Sequence, residues 1–256
     1  MLVTTSQNAN LGTELKAKKL ASEIMFQYAE RGTSSLSQLR RRFGDTEILV
    51  VNQNDLKFVN IDRSELFFHP NLAKIRLTSM LKGSKDRLLE VAGVKPGESV
   101  LDCTMGLATD AIMFSFAVGK SGKITTVESE LITYVLAREG LKNYVSGIKE
   151  LDESMRAVNV IHADHLDFMR GLPKKCFDVV YFDPMFRRPD KTVALTPLRK
   201  VANQEALKLE AISEAKRVAR RVIVLREHIN SGEFERLGFQ LTATKQHSSI
   251  VYGTIR

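Results

Sequence analysis

The chain has 256 residues, 43% of them hydrophobic and 27% charged, the composition of a soluble globular protein that forms one large domain or a main domain with a smaller companion. No apolar stretch approaches the ~20 residues that cross a bilayer, and Met1-Leu2-Val3-Thr4-Thr5-Ser6 lacks the charged and apolar regions of a signal peptide, so a cytoplasmic protein without membrane contact is expected. Cys103 and Cys176 show no paired spacing and the five histidines form no ligand pair, which argues against a disulfide framework or a metal, whereas the formal net charge of +8 favours a polyanionic partner.

The first block, 1–68, reads as a small α/β accessory domain. A strand at Leu2–Thr5 precedes an amphipathic helix over 14–30, in which Leu15, Leu20, Ile24 and Tyr28 recur at helical spacing. A basic helix follows over 36–42, with Arg40-Arg41-Arg42. Two β-rich runs, 47–51 and 56–60, flank the turn Asn52-Gln53-Asn54-Asp55 and predict a hairpin.

The second block, 69–256, opens with a predicted helix over 71–91 closed by Gly93, and then alternates strand and helix. Strands are predicted at Ser99–Asp102, Lys123–Glu128, Val158–His162, 178–182 and 221–225. Near-continuous apolar strands alternating with helices imply a parallel sheet covered on both faces, a doubly wound α/β fold. The runs 239–244 and 249–255 follow each other without a helix and read as an antiparallel hairpin that closes the sheet.

The run 177–182 ends in Asp183-Pro184-Met185-Phe186. Read blandly, this is a strand end and an ordinary turn, where Asp and Pro are both common. Read chemically, it suits an aromatic amine, whose lone pair is delocalised and nucleophilically poor. A carboxylate and the carbonyl beside a proline can accept both N–H bonds of such an amine and stabilise the positive charge that develops on attack. The aromatic residue stacks on the base, and the proline stiffens the turn without adding a competing donor.

Ligands of doubly wound sheets bind beyond the carboxyl ends of the strands, and three other predicted strands end at or near acidic residues. Asp102 can anchor a cationic amino group, and Gly106 lets the backbone approach a ligand. Glu128 can accept both hydroxyls of a ribose, and Asp164 the amine of an adenine. His165, beside Asp164, is either a ligand contact or a polar loop residue. Each acidic residue alone reads as a cap or a solvated turn, but four successive ends carry one.

From Ser99 onward the chain resembles the class I S-adenosylmethionine-dependent methyltransferases, with Thr104 where the first glycine of their first motif is usual. It is similar to a narrower family, the RsmJ-type small-subunit ribosomal RNA guanine-N2 methyltransferases. Their motif Asp-x-Thr-x-Gly-Leu-x-x-Asp-Ala is matched by Asp102, Thr104, Gly106, Leu107, Asp110 and Ala111, and their Asp-Pro-Met-Phe by Asp183 to Phe186. His69-Pro70, ahead of a basic helix, also looks like that family's segment before the core. The chain departs from the family at Arg187-Arg188, where proline usually follows the motif's Phe, and its first block matches only loosely.

The resemblance implies a Rossmann-like methyltransferase sheet and S-adenosylmethionine as cofactor. Asp102 and Gly106 would hold the methionine portion, Glu128 the ribose and Asp164 the adenine amine, with Thr104, Asp110, Ser129, His165 and Asp183 also at the cofactor. Asp183 would orient the acceptor amine, Pro184 present a carbonyl and Phe186 stack on a base that is unstacked or flipped to reach them. Arg187 and Arg188 follow the tetrad directly and are expected at a phosphate of the substrate, guanine N2 of small-subunit ribosomal RNA. The clustered Arg217, Arg220 and Arg221 read instead as a solvated helix face.

Other chemistries remain in view. A carbon-5 pyrimidine methyltransferase needs a cysteine nucleophile, but Cys103 lies in the cofactor loop and Cys176 precedes the fourth strand, so both read as packing residues. Adenine-N6 or cytosine-N4 methylation of DNA uses a related tetrad, and a non-catalytic nucleic-acid-binding protein on the same scaffold is the third alternative.

Overall fold

The computed structural model describes residues 1–44, 47–184, 205–242 and 248–256. Phe186, Arg187 and Arg188 lie outside the described residues, as does Met185. The chain forms two compact units, one of Met1–His69 with Val135–Tyr144 and the other of Pro70–Tyr134 with Val145–Arg256.

The first unit is built on a five-stranded sheet in the order β2-β1-β3-β4-β5. Strand β1 (Leu2–Thr5) pairs in parallel with both β2 (Gln27–Tyr28) and β3 (Ile48–Val51). Strand β3 then pairs antiparallel with β4 (Leu56–Val59), which is the expected hairpin, and β4 with β5 (Glu65–Phe67). Helix α1 spans Leu11–Glu23 rather than 14–30. Asn10 caps its first turn by accepting from the Thr13 N–H. The helix ends because Met25 turns into the left-handed region (φ 56°) and the Phe26 N–H bonds back to Ala21. Tyr28 therefore sits on a strand, although its spacing continues the helical pattern. Helix α2 (Leu36–Phe43) has a complete capping box between Ser35 and Gln38 and stops at left-handed Gly44. The Leu39 side chain packs from α2 onto Leu2, Ile48, Val50 and Val59.

The second unit holds a seven-stranded sheet in the order β11-β12-β10-β9-β6-β7-β8. Strands β6 (Ser99–Asp102), β7 (Lys123–Glu128), β8 (Val158–His162), β9 (Phe177–Phe182) and β10 (Ala219–His228) are parallel. Strand β12 (Ile250–Ile255) runs antiparallel between β10 and β11 (Gln240–Leu241), in the place of the expected hairpin. Alternate residues of β9 face opposite layers. The Tyr181 ring meets Phe114 edge-on at 5.2 Å, whereas Val180 and Phe182 belong to the cluster that includes Leu166, Met169, Ala211 and Ile212. Both faces are thus apolar and helix-covered, which accounts for the uninterrupted hydrophobic strands.

The predicted helix over 71–91 is two helices, α3 (Asn71–Leu81) and α4 (Arg87–Ala92). Gly83 (φ 91°) breaks the run, and Asp86 starts a new helix by accepting from the Leu89 N–H. Helices α5 (Thr109–Val118), α6 (Leu131–Asn143), α7 (Lys149–Arg156), α8 (His165–Arg170), α9 (Leu209–Val218) and α10 (Glu233–Leu237) follow. The arginines expected on a solvated face are tethered instead. Arg217 donates to the Leu172 and Met169 carbonyls, Arg221 to Glu98 and the Ala92 carbonyl, and Arg220 to Asp178. Strand β10 extends beyond the predicted 221–225, because its last three residues still pair with Tyr252, Val251 and Ile250 of β12.

Candidate active site

The parallel strands β6, β7, β8 and β9 bring their carboxyl ends to one edge of the sheet, with the chain order reversing between β6 and β9. A cleft opens there. Thr104, Gly106, Glu128, Ser129, Asp164, His165, Asp183 and Pro184 line it, together with Thr133 and the segment Glu205 to Lys208. Eight of the residues assigned from sequence are therefore brought together. Two are not in its wall: Asp102, at the end of β6, is 1% exposed, and Asp110 is in the first turn of α5.

The loop after β6 is held by its own acid. Asp102 Oδ1 accepts the Thr104 N–H at 3.0 Å, and Thr104 Oγ1 in turn accepts the Asp183 N–H at 2.6 Å. Gly106 takes a left-handed φ of 53°, with open space where a Cβ would point. Its N–H donates to Glu128 Oε2 at 3.0 Å, while Glu128 Oε1 accepts the Glu130 N–H at 2.9 Å. Asp164 Oδ1 caps α8 through the Leu166 and Asp167 N–H groups. The His165 ring meets the edge of Phe182 at 5.8 Å, and burial pushes its pKa down. Asp110 accepts from the Tyr181 hydroxyl at 2.8 Å and is paired with Arg76, which also holds Asp86.

Burial dominates the electrostatics. It pushes the Asp102 carboxyl up to about 8 against the Thr104 N–H, and the Glu128 carboxyl up to about 7 against the backbone donors of Glu130, Gly106 and Ser129. Asp183 is also pushed up by burial, to about 7, while the Arg226 guanidinium pulls the other way. That guanidinium donates to Asp183 Oδ2 at 2.6 Å. Such clustering of raised carboxylates marks a site whose charge is costly until a cation enters.

Two residues of the site were not legible from sequence. Arg226 lies one position beyond the predicted strand, and only the β9-β10 register reveals that it meets Asp183. Thr133 is in the first turn of α6, 1% exposed, with no hydrogen-bond partner for its hydroxyl among the described residues. An orphan hydroxyl on the wall of a cleft awaits a ligand group. Among the described residues no group of three or more His, Cys, Asp or Glu is placed to hold a metal, and no helix is long and apolar enough to cross a membrane.

The residues present fit S-adenosylmethionine: buried carboxylates suit its cationic centres, the Gly106 backbone leaves space for it, and Thr133 offers an unused hydroxyl. The strand order and this cleft are those of a Rossmann-like sheet with its ligand site at the switch point, and the family match makes the chain a methyltransferase that uses S-adenosylmethionine (SAM). A family model described as "Putative SAM-dependent methyltransferase" matches residues 33–231. The chain belongs to that family. It is 36% identical over its whole length to YpiP of Bacillus subtilis, covering 99% of that protein, which is described as uncharacterized. Ribosomal RNA small subunit methyltransferase J of Francisella philomiragia is 26% identical over 152 residues, 58% of this chain and 57% of that protein. The counterpart from Buchnera aphidicola is 28% identical over 148 residues, 54% of this chain and 57% of that protein. Among solved structures, a SAM-dependent methyltransferase from Neisseria gonorrhoeae aligns over 99% of this chain and 95% of its own with a TM-score of 0.61 at 13% identity, a likeness of fold.

Proposed function

We propose that this methyltransferase acts on an exocyclic base amine of RNA, and that the base is guanine, at N2, in small-subunit ribosomal RNA. The observation that carries the proposal is the Asp183 carboxylate at the end of β9, on the wall of the cleft and fixed from two sides, by Thr104 and Arg226. The first and fourth motifs shared with the guanine-N2 family support the base, and the relatives named for ribosomal RNA support the polymer.

When bound, SAM supplies a methyl group already activated on its sulfonium. The chain's own task is to align the acceptor and keep water out. Asp183 accepts an N–H of the amine and stabilises the charge that grows on its nitrogen. Pro184 offers its carbonyl to the other N–H, and Phe186 stacks on the base. Glu128 takes the ribose hydroxyls, Asp164 the adenine amine through the oxygen not used in capping α8, and Gly106 the methionine end, with Asp102 acting through the Thr104 N–H that it holds. Thr104 ties the loop after β6 to Asp183, and Asp110 anchors the Tyr181 hydroxyl and Arg76. Ser129 and His165 complete the adenosine side, and Arg187 and Arg188 meet a substrate phosphate. Residues 1–68 form an accessory domain to the catalytic 69–256, and the enzyme works in the cytoplasm.

The test is nucleoside mass spectrometry of ribosomal RNA from cells with and without the gene. Loss of N2-methylguanosine is expected. Loss of a different methylated base amine would overturn guanine, and an unchanged RNA profile with altered N6-methyladenine or N4-methylcytosine in DNA would overturn RNA.

A further inference from the structure

Strand β10 outruns β9. The last residue pair between them is Leu225 with Phe182, after which Arg226, Glu227 and His228 continue the strand paired with β12, opposite Tyr252, Val251 and Ile250. This overhang stands beside the point where Asp183 leaves β9. Arg226 is the residue that uses it, with Nη1 2.6 Å from Asp183 Oδ2 in a half-buried pair.

We propose that Arg226 is a positioning residue for methyl transfer, holding Asp183 by Oδ2 so that the carboxylate keeps one direction and leaves Oδ1 for the acceptor amine. The proposal rests on the acceptor role given to Asp183 above. Three observations carry it. The Asp183 backbone is already fixed through its N–H to Thr104, so the Arg226 contact sets the one remaining freedom, the side-chain torsions. Among the described residues, the groups besides Arg226 whose charge acts on Asp183 are acids or phenols: Asp110 from α5, Asp102 from β6, Tyr181 from β9, Glu227 from β10 and Tyr252 from β12. Arg76 is engaged by Asp86 and Asp110, and among the described residues Arg226 is the cation paired with Asp183.

Stability gives a poor alternative reason for such a pair. Desolvating two charges offsets most of their attraction, so partly buried ion pairs contribute little net stability. A planar guanidinium does something a compact ammonium does less well: it fixes the direction of the carboxylate it holds.

The experiment compares wild-type protein with Arg226→Gln and Arg226→Lys. Transfer from labelled SAM is followed on ribosomal RNA from cells lacking the gene, with calorimetry against SAM and thermal melting in parallel. Arg226→Gln is expected to lower kcat at pH 7 by about 100-fold, the scale of losing one preorganised electrostatic contact, while SAM affinity stays within about two-fold. The acid limb of its kcat profile should move up by roughly one pH unit or more, so that part of the loss returns at high pH. Arg226→Lys should keep the limb near its wild-type position yet recover only part of kcat. A wild-type kcat with an unmoved limb in Arg226→Gln overturns the proposal, as does a loss of SAM binding that parallels the loss of kcat. If Arg226→Gln does not fold, Arg226→Lys decides alone, and a fully wild-type kcat there overturns it. No transfer to any RNA by the wild type sinks the substrate reading instead. The Arg226 proposal is then judged by 13C NMR titration of the Asp183 carboxyl, and an identical titration in wild-type and Arg226→Gln protein overturns it.

Discussion

The Thr104 hydroxyl accepts the Asp183 backbone N–H at 2.6 Å, and the Thr104 N–H is itself held by Asp102 at 3.0 Å. The end of β6 and the end of β9 are thereby locked together through one side chain. Class I methyltransferases usually place a glycine at this point, and here the threonine joins the loop after β6 to Asp183.

Removing that lock has a specific expected result. Thr104→Val keeps the shape but leaves the Asp183 N–H without its acceptor, at a cost of about 1–3 kcal/mol where water cannot replace it. Transfer should fall by about ten-fold or more, with a smaller change in SAM affinity. Thr104→Ser should retain most activity. Equal activity in all three proteins, measured as kcat on methyl-deficient ribosomal RNA, would remove Thr104 from any role in placing Asp183.

Asp183 itself should separate binding from transfer. Asp183→Ala removes the acceptor for the amine and should abolish turnover, while calorimetry still detects SAM. Asp183→Asn keeps one acceptor oxygen and should retain a trace of activity. Full activity in the alanine variant would refute the clamp.

How much of this was visible in the sequence depends on what each feature rests on. Strands β6 to β9 were legible because both faces of the sheet are buried, so each strand reads as an unbroken apolar run, and the acidic residues near their ends follow from that placement. Helix α1 was misread because Tyr28 happens to continue its spacing, whereas the left-handed turn at Met25 leaves no composition signal. The break at Gly83 was signalled by a glycine and by the capping Asp86, but the helical periodicity outweighed both. Arg226 was invisible for a different reason. Its role depends on how far β10 slides past β9, which is a property of pairing between distant segments.

The raised carboxylates predict how stability and affinity change with pH. Asp102, Glu128 and Asp183 are pushed to about 8, about 7 and about 7, above the ordinary range for unfolded carboxyls. The folded protein therefore binds more protons than the unfolded chain in that window. The cost of ionising them in place is absent below the unfolded pKa, grows as pH rises, and is complete above the folded one. These groups should thus lower the melting temperature of the ligand-free protein between about pH 5 and pH 8. A cationic ligand prefers their ionised forms, so SAM should bind more tightly, and stabilise more, as pH rises over the same window. Glu128→Gln should flatten both trends. A SAM affinity independent of pH from 5.5 to about 8.5 would show that these carboxylates do not face its charge.

Thr133 makes a prediction with two opposite signs. Its buried hydroxyl has no hydrogen-bond partner among the described residues, and it shares the cleft wall with Glu128 and Ser129. Thr133→Val should raise the melting temperature of the free protein, because an unsatisfied polar group is replaced by an apolar one of the same shape. The same change should weaken SAM by about 1 kcal/mol, roughly five-fold, if the ligand supplies the missing partner. Thr133→Ser should leave affinity near the wild-type value. A stabilised variant with undiminished affinity would mean that the hydroxyl meets no part of SAM.

Arg187 and Arg188 follow the tetrad in sequence at the place where the related guanine-N2 family usually has proline, and they are proposed to meet the phosphates that flank a flipped nucleotide. Phosphate contacts act through counterion release, so their number is read from the dependence of affinity on salt, with a slope of about 0.7 per contact for single-stranded nucleic acid. Replacing both with alanine should weaken RNA binding and lower that slope by about 1.4, leaving SAM affinity intact. Only one of the two contacts is made if the slope falls by half that amount. A double variant whose RNA affinity matches the wild type across a salt titration would place both arginines away from the substrate, and the basic surface that binds RNA would then have to lie elsewhere on the chain.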